Sequence, residues 1–221
     1  MSNLFAWREN AEKVYQLYNE KIKGNSEAIK LFHGFKVWYS PVKFNPKILI
    51  IGINPGIGES TLDKNINFNE SINFEYLPHN PKYILANQIK KVFNEAGLSN
   101  MLEKETIKTN YYHIITKDQF KIKFGLELIE KNLSKQYEND AKQIIDDLIR
   151  IIKPKYIICE GKSIYDKVVK LYSERGDSKW EYNSGYTKIN NPDLTIFGCS
   201  RIRSFIKNKS HFSELLREHI K

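Results

Sequence analysis

Lys47-Ile48-Leu49-Ile50-Ile51-Gly52-Ile53-Asn54-Pro55-Gly56 decides the fold class. Its first seven residues form a short, almost continuously apolar and β-branched run, the pattern of a strand buried on both faces. Asn54-Pro55-Gly56 then breaks the strand sharply. A strand covered on both sides belongs to a parallel sheet with helices on each face, so its neighbours should alternate between helix and strand.

The flanking sequence alternates in that way. Residues 4–23 place Leu4, Trp7, Ala11, Val14, Leu17 and Tyr18 near helical spacing, with Lys and Glu on the other face. An Asn-rich loop from about Gly58 to Asn80 exceeds the length of a mere connector. The spacing predicts helices over 81–96, 138–152, 162–172 and 210–220, and strands over 107–115, 156–159 and 194–197. Pro81 and Gly97 bracket the first of these helices, Pro154 stops the second, and Ser210 is the expected cap of the last. Residues 173–192 read as loop with room for one extended segment. The expected architecture is α/β, a three-layer α/β/α sandwich around a central four-stranded parallel sheet with right-handed crossovers. One domain should span residues 1–221, with 1–40 as an N-terminal helical extension.

Composition bounds the partners. Lys and Arg outnumber Asp and Glu by 35 to 26, a formal net charge of +9, which favours polyanions by long-range attraction. A Lys-rich surface in a chain also rich in Ile and Asn accounts for the same excess, so charge alone leaves both readings open. Cys159 and Cys199 lack metal-type spacing and read as reduced thiols of a cytoplasmic protein. Met1-Ser2-Asn3-Leu4-Phe5 lacks a signal-peptide pattern, and no apolar run approaches the roughly 20 residues of a membrane helix. His33, His79, His113, His211 and His219 form no ligand spacing, and Gly52, Gly56 and Gly58 lack the ending of a P-loop. The expectation is a cytoplasmic monomer with no metal, no cofactor and no membrane partner.

Ligands of parallel α/β sheets gather at the carboxyl ends of the strands. Four segments fall there: Asn54-Pro55-Gly56, Thr109-Asn110-Tyr111, Glu160-Gly161-Lys162-Ser163, and Cys199-Ser200-Arg201-Ile202-Arg203-Ser204. Here the chain resembles a known family. KILIIGINPG, residues 47–56, is similar to the first motif of the mismatch-specific and single-strand-selective branches of the uracil-DNA glycosylase superfamily, where a strand ends in G-x-N-P-G. Thr109-Asn110 resembles the family's Asn-bearing, base-reading strand. The fourth strand and its loop, followed by a C-terminal helix, occupy the place of the second catalytic motif. The resemblance runs from about residue 45 to the end. Where the family usually has His-Pro-Ser, this chain has Cys199-Ser200-Arg201-Ile202-Arg203-Ser204. That departure points away from ordinary uracil removal, toward an altered base, a slow enzyme or a lapsed one.

The resemblance implies a monofunctional DNA glycosylase that hydrolyses the N-glycosidic bond of a flipped uracil-like, damaged or modified base. Such a reaction separates a sugar cation from an anionic base, so fixed polar groups supply most of the catalysis. Asn54 would position water, since an amide is no general base; its bland role is to cap the turn. Gly52, Ile53, Pro55 and Gly56 would shape the base pocket. Asn110 offers a two-point contact to a base edge, or a buried strand-end hydrogen bond. Phe68 or Phe74 would stack on the base, with Tyr76 a third possibility, although a lone Phe is usually core. Arg201 and Arg203, with Ser200 and Ser204, suit a phosphate or the leaving anion, or form an exposed basic turn. Lys162 and Ser163 open a helix, where they bind phosphate or simply cap it. Glu59 and Asp63 follow the first motif closely, and either could act as the water-activating base that Asn54 cannot be, or be an ordinary surface carboxylate. Two rivals remain: an inactive nucleic-acid binder retaining the fold, and an enzyme acting on a small anionic metabolite.

Overall fold

In the computed structural model of the chain, residues 2–43, 45–55, 65–69, 76 and 83–221 are described. In chain order these form α1 (Ser2–Lys23), a 3-10 turn (Ala28–Lys30), β1 (Phe35–Lys36), β2 (Ile48–Gly52), β3 (Ile66–Asn67), α2 (Ile84–Glu95), α3 (Ser99–Lys104), β4 (Thr106–Asn110), α4 (Gln119–Ile129), α5 (Leu133–Ile152) and β5 (Tyr156–Cys159). There follow α6 (Lys162–Val169), β6 (Arg175–Glu181), β7 (Ser184–Ile189), β8 (Leu194–Cys199), β9 (Arg201–Ile202), β10 (Phe205–Ile206) and α7 (Lys209–His219). The chain divides into two compact units.

One unit comprises residues 39–52, 70–109 and 152–221 and carries the main sheet, in the order β4-β2-β5-β8-β7-β6. The central apolar run is β2, buried at every position. It pairs in parallel with β5, and β5 in parallel with β8, so Ile51, Cys159 and Gly198 lie side by side at the carboxyl ends. Strand alternation divides the side chains between two faces. Ile48, Ile50, Tyr156, Ile158, Phe197 and Cys199 pack against Ala86, Ile89, Val92 and Phe93 of α2 and Phe212, Leu215 and Leu216 of α7. Gly198 faces the other way, where the Tyr165 side chain of α6 lies over it.

The α/β class stands, but the sheet is not four-stranded and parallel. It has six strands, and β7 pairs antiparallel with both β8 and β6. The correction lies in residues 173–192. They hold a hairpin whose two-residue turn, Tyr182-Asn183, has φ of 46° and 72°, the backbone that right-twisted hairpins favour. β6 is mostly exposed, so its charged residues gave no buried-strand pattern. The last helix is capped by Asn208 rather than Ser210, its side chain accepting from His211 N.

The other unit comprises residues 1–38, 53–69 and 110–151. Its α1 buries Trp7, Ala11, Tyr15, Tyr18 and Ile22, while Leu17, expected inward, is exposed. Tyr15 stacks on Phe35 at 4.8 Å and Trp7 meets Phe68 edge-on at 6.4 Å. The Trp7 indole donates to the Ile144 carbonyl of α5 at 2.9 Å, and Tyr18 donates to Asp140 at 2.6 Å. α4, which carried no clear sequence signal, buries Gly125 against the Phe32 ring.

Gly185 of β7 marks the tightest approach. A Cβ there would stand 2.2 Å from the Lys179 carbonyl oxygen and 2.8 Å from the Trp180 Cα, both backbone atoms. Gly185→Ala should therefore lower stability by about 1–3 kcal/mol, read as a reduced urea midpoint at unchanged slope.

Candidate functional site

Asn54 follows β2 by two residues and is clamped by the segment after β4. Tyr112 N donates to the Ile53 carbonyl at 2.9 Å, and Thr116 N to the Pro55 carbonyl at 3.3 Å. The Asn54 side-chain nitrogen donates to Thr116 Oγ1 at 3.0 Å, to the Thr116 carbonyl at 3.3 Å and to the Pro55 carbonyl at 3.1 Å. The two carbonyls can only accept, so the NH2 must face them. Thr116 Oγ1 in turn donates to the Asp118 carbonyl at 2.7 Å, leaving its lone pairs for Asn54. The amide is thus oriented, and its Oδ1 points away with no partner among the described residues.

Residues 110–116 are all buried. Asn110 is 5% exposed, and its side-chain amide makes no hydrogen bond among the described residues. Tyr112 donates to the Glu138 carboxylate, and Ile114 N donates to Tyr137 Oη at 3.2 Å. Burial pushes the His113 imidazole down to about 3 and the Tyr15 phenol well up, so both are neutral, and Tyr15 Oη and His113 Nδ1 share a hydrogen bond.

In the sheet-bearing unit, Glu160 and Lys108 form a buried ion pair at 3.0 Å, with side chains 2% and 7% exposed. Tyr76 donates to the other Glu160 oxygen, and its ring lies 4.7 Å from the Lys108 ammonium. Arg201 Nε donates to the Glu160 carbonyl at 2.7 Å, and its Nη1 to the Arg203 carbonyl. The guanidinium lies over Gly161, whose φ of 141° disfavours any side chain. Two of the singled-out segments, Glu160-Gly161-Lys162-Ser163 and Cys199–Ser204, therefore meet here. The second is a hairpin: β9 pairs with β10 around Arg203-Ser204, with Arg203 exposed at φ 52°. Ile202 and Phe205, paired across it, are 61% and 57% exposed. Cys159 and Cys199 are buried free thiols, and burial pushes Cys199 up to about 12.

The remaining sequence candidates are placed as follows. Gly52 ends β2 and is buried. Phe68 is core: it is buried, stacks on Tyr15 at 6.0 Å, and carries the Arg8 guanidinium 5.3 Å above its ring. Lys162 pairs with Asp166 at 2.5 Å, and Ser163 is exposed. Ser200 is half-buried, with its backbone held by Asn183 and Lys207, and Ser204 is half-buried in the hairpin turn. Gly56, Phe74, Glu59, Asp63 and His79 lie outside the described residues. A pocket of about 350 Å³ between the β6–β7 hairpin and α7 holds a Ser184–His211 hydrogen bond of 2.6 Å, and His211 and His219 line it, but none of the expected catalytic, base-binding or phosphate-binding residues does. Among the described residues no group of three His, Cys, Asp or Glu is placed to hold a metal, and no helix is long and apolar enough to cross a membrane.

Against known families, residues 40–219 match the model described as Uracil DNA glycosylase superfamily. The chain belongs to that superfamily. No curated protein matches the chain. The superfamily match begins after α1, the 3-10 turn and β1, so the Trp7 and Tyr15 packing is built partly from residues outside it. Sequence reasoning missed Thr116, which orients Asn54, and Lys108, which pairs with Glu160. A charged residue amid Thr106-Ile107-Lys108-Thr109 was the available signal, since a lysine in a buried strand requires a partner.

Two outcomes follow from these contacts. Lys108→Met or Glu160→Gln alone should cost about 3–5 kcal/mol, because each leaves a polar partner buried without its counter-charge. The double variant should cost less than the sum, and urea unfolding of the four proteins measures the coupling. The unfolded chain binds a proton at a histidine near pH 6.5, which the folded chain refuses until about 3. Stability from His113 is therefore complete above about pH 6.5 and declines as pH falls toward 3, by up to about 1.4 kcal/mol per pH unit. His113→Gln should flatten that slope in denaturation series between pH 7 and 5.

Proposed function

We propose that the chain is a monofunctional DNA glycosylase that hydrolyses the N-glycosidic bond of a flipped uracil-like, damaged or modified base. The observation that carries this reading is the oriented Asn54 amide, whose NH2 is fully engaged and whose Oδ1 is left to accept a hydrogen bond from water. Asn54 positions the water for attack at the sugar carbon as the C–N bond opens. It does not remove the proton. Asn110, almost fully buried at the start of the same segment, reads the base edge. Ile53 and Pro55, whose carbonyls accept from Tyr112 N and Thr116 N, hold the backbone on either side of Asn54.

The Arg201–Ile206 hairpin supplies cations for the phosphates and an exposed apolar pair, Ile202 and Phe205. Side chains of this kind hold neighbouring bases apart while one is extruded. Arg203 faces solvent and contacts phosphate directly. Arg201, committed to the carbonyls of Glu160 and Arg203, acts mainly by fixing the hairpin. That commitment, with no histidine in the second motif, is what favours the rival reading of a DNA-binding protein without catalysis.

One experiment separates the two. Oligonucleotides carrying a panel of altered bases are incubated with the protein, and abasic sites are revealed by alkaline cleavage. Release of one base, reduced about 10²–10³-fold in rate by Asn54→Ala while DNA affinity is kept, is the expected result. An intact panel alongside salt-sensitive DNA binding establishes the rival.

A further inference from the structure

α4 carries an aromatic stripe that the fold does not use. Phe120 and Phe124 are 76% and 55% exposed, one helical turn apart, and Leu128 continues the line at 41%. Phe120 has no ring partner among the described residues, and Phe124 has only the Lys121 ammonium, 5.9 Å from its centroid. The helix is anchored elsewhere, through Ile122, Gly125 and Leu126.

The charge around the stripe selects the partner. Lys121 and Lys123 lie in the first turns of α4 and Lys117 two residues before it, and the Lys121 ammonium is the one of the three placed by a ring, that of Phe124. The one carboxylate there, Asp118, is spent as the helix cap, accepting from Lys121 N at 3.1 Å. Glu127 approaches Lys123 only to 3.9 Å, at the far end. The N-terminus of α4 adds the positive end of its dipole. Cations set between exposed aromatic faces are the composition of a stacking platform for unpaired nucleotides. Rings at i and i+4 stand about 5–6 Å apart at their Cβ atoms, near two stacking steps of about 3.4 Å. A duplex hides its base faces, so only an unstacked strand can use them.

The platform is wired to Asn54. The Thr116 hydroxyl accepts from the Asn54 amide and donates to the carbonyl of Asp118, the cap of α4. Phe120 follows two residues later, its Cα within about 8 Å of that of Asp118. We infer that Phe120 and Phe124 form an accessory site on which unpaired bases flanking the target nucleotide stack, with Lys117, Lys121 and Lys123 holding their phosphates. The assignment to flanking bases rests on the proposed glycosylase reading; the surface itself does not.

The test is fluorescence anisotropy on a single strand of about 16 nucleotides and on its duplex, across a salt series. Phe120→Ala/Phe124→Ala should weaken single-strand binding about tenfold or more, leave duplex binding within about twofold, and keep the salt slope, since no cation is removed. Lys121→Gln/Lys123→Gln should lower the salt slope instead. Equal affinity of wild type and the Phe variant for the single strand overturns the inference. So does a wild-type dimer, seen by sedimentation, that the Phe variant dissociates without any change in DNA binding, because the stripe is then a protein interface. Base release is assayed in parallel. A chain inert on every base whose single-strand binding needs both rings keeps the platform and loses the glycosylase; an active chain indifferent to them does the reverse.

Discussion

The ion pair between Lys108 and Glu160 is the contact on which the carboxyl end of the main sheet depends. β2 lies between β4 and β5, so a bond from Lys108 to Glu160 spans the end of the central strand. Two charges so far from water are costly unless every valence is met. Tyr76 satisfies the second carboxylate oxygen, and its ring faces the ammonium. The main chain of the same glutamate accepts from Arg201. One glutamate, through its carboxylate and its main-chain carbonyl, thereby gathers a strand, a loop residue and the C-terminal hairpin, and the hairpin's exposed tip is presented from a fixed base.

The β2 run was legible because burial on both faces leaves only apolar, β-branched residues. The helices with one apolar face were legible for the related reason, and the inward residues of α7 are those expected, Phe212, Leu215, Leu216 and Ile220. β6 and α4 were not. β6 buries almost nothing, so it has no alternation to detect. In α4 the apolar residues fall on both faces, Ile122 and Leu126 inward and Phe120 and Phe124 outward, which erases the periodicity. Its mid-helix glycine, a propensity cost of about 1 kcal/mol, is explained only by the Phe32 ring that lies where a Cβ would be.

The candidate site divided along the same line. G-x-N-P-G named Asn54 because a strand end followed by a rigid turn has a local signature. The partners that orient it are 62 positions away, and no local pattern announces a threonine hydroxyl relaying between two backbone turns. Phe68 shows the converse limit. An aromatic in a long loop beside a motif suits a stacking role, yet its ring is enclosed by Trp7 and Tyr15, contributed by a helix that precedes the superfamily match.

β6 closes the sheet on one side, and its sequence Arg175-Gly176-Asp177-Ser178-Lys179-Trp180-Glu181 alternates basic and acidic side chains along an open row of backbone donors and acceptors. An unguarded border of this kind recruits strands from other molecules, which is how ordered aggregates begin. The charges make such docking unfavourable in most registers, and the irregular pairing between Arg175 and Ser178 distorts the template further. The strand that contributes least to the core thus shields the apolar strands behind it from pairing edge to edge.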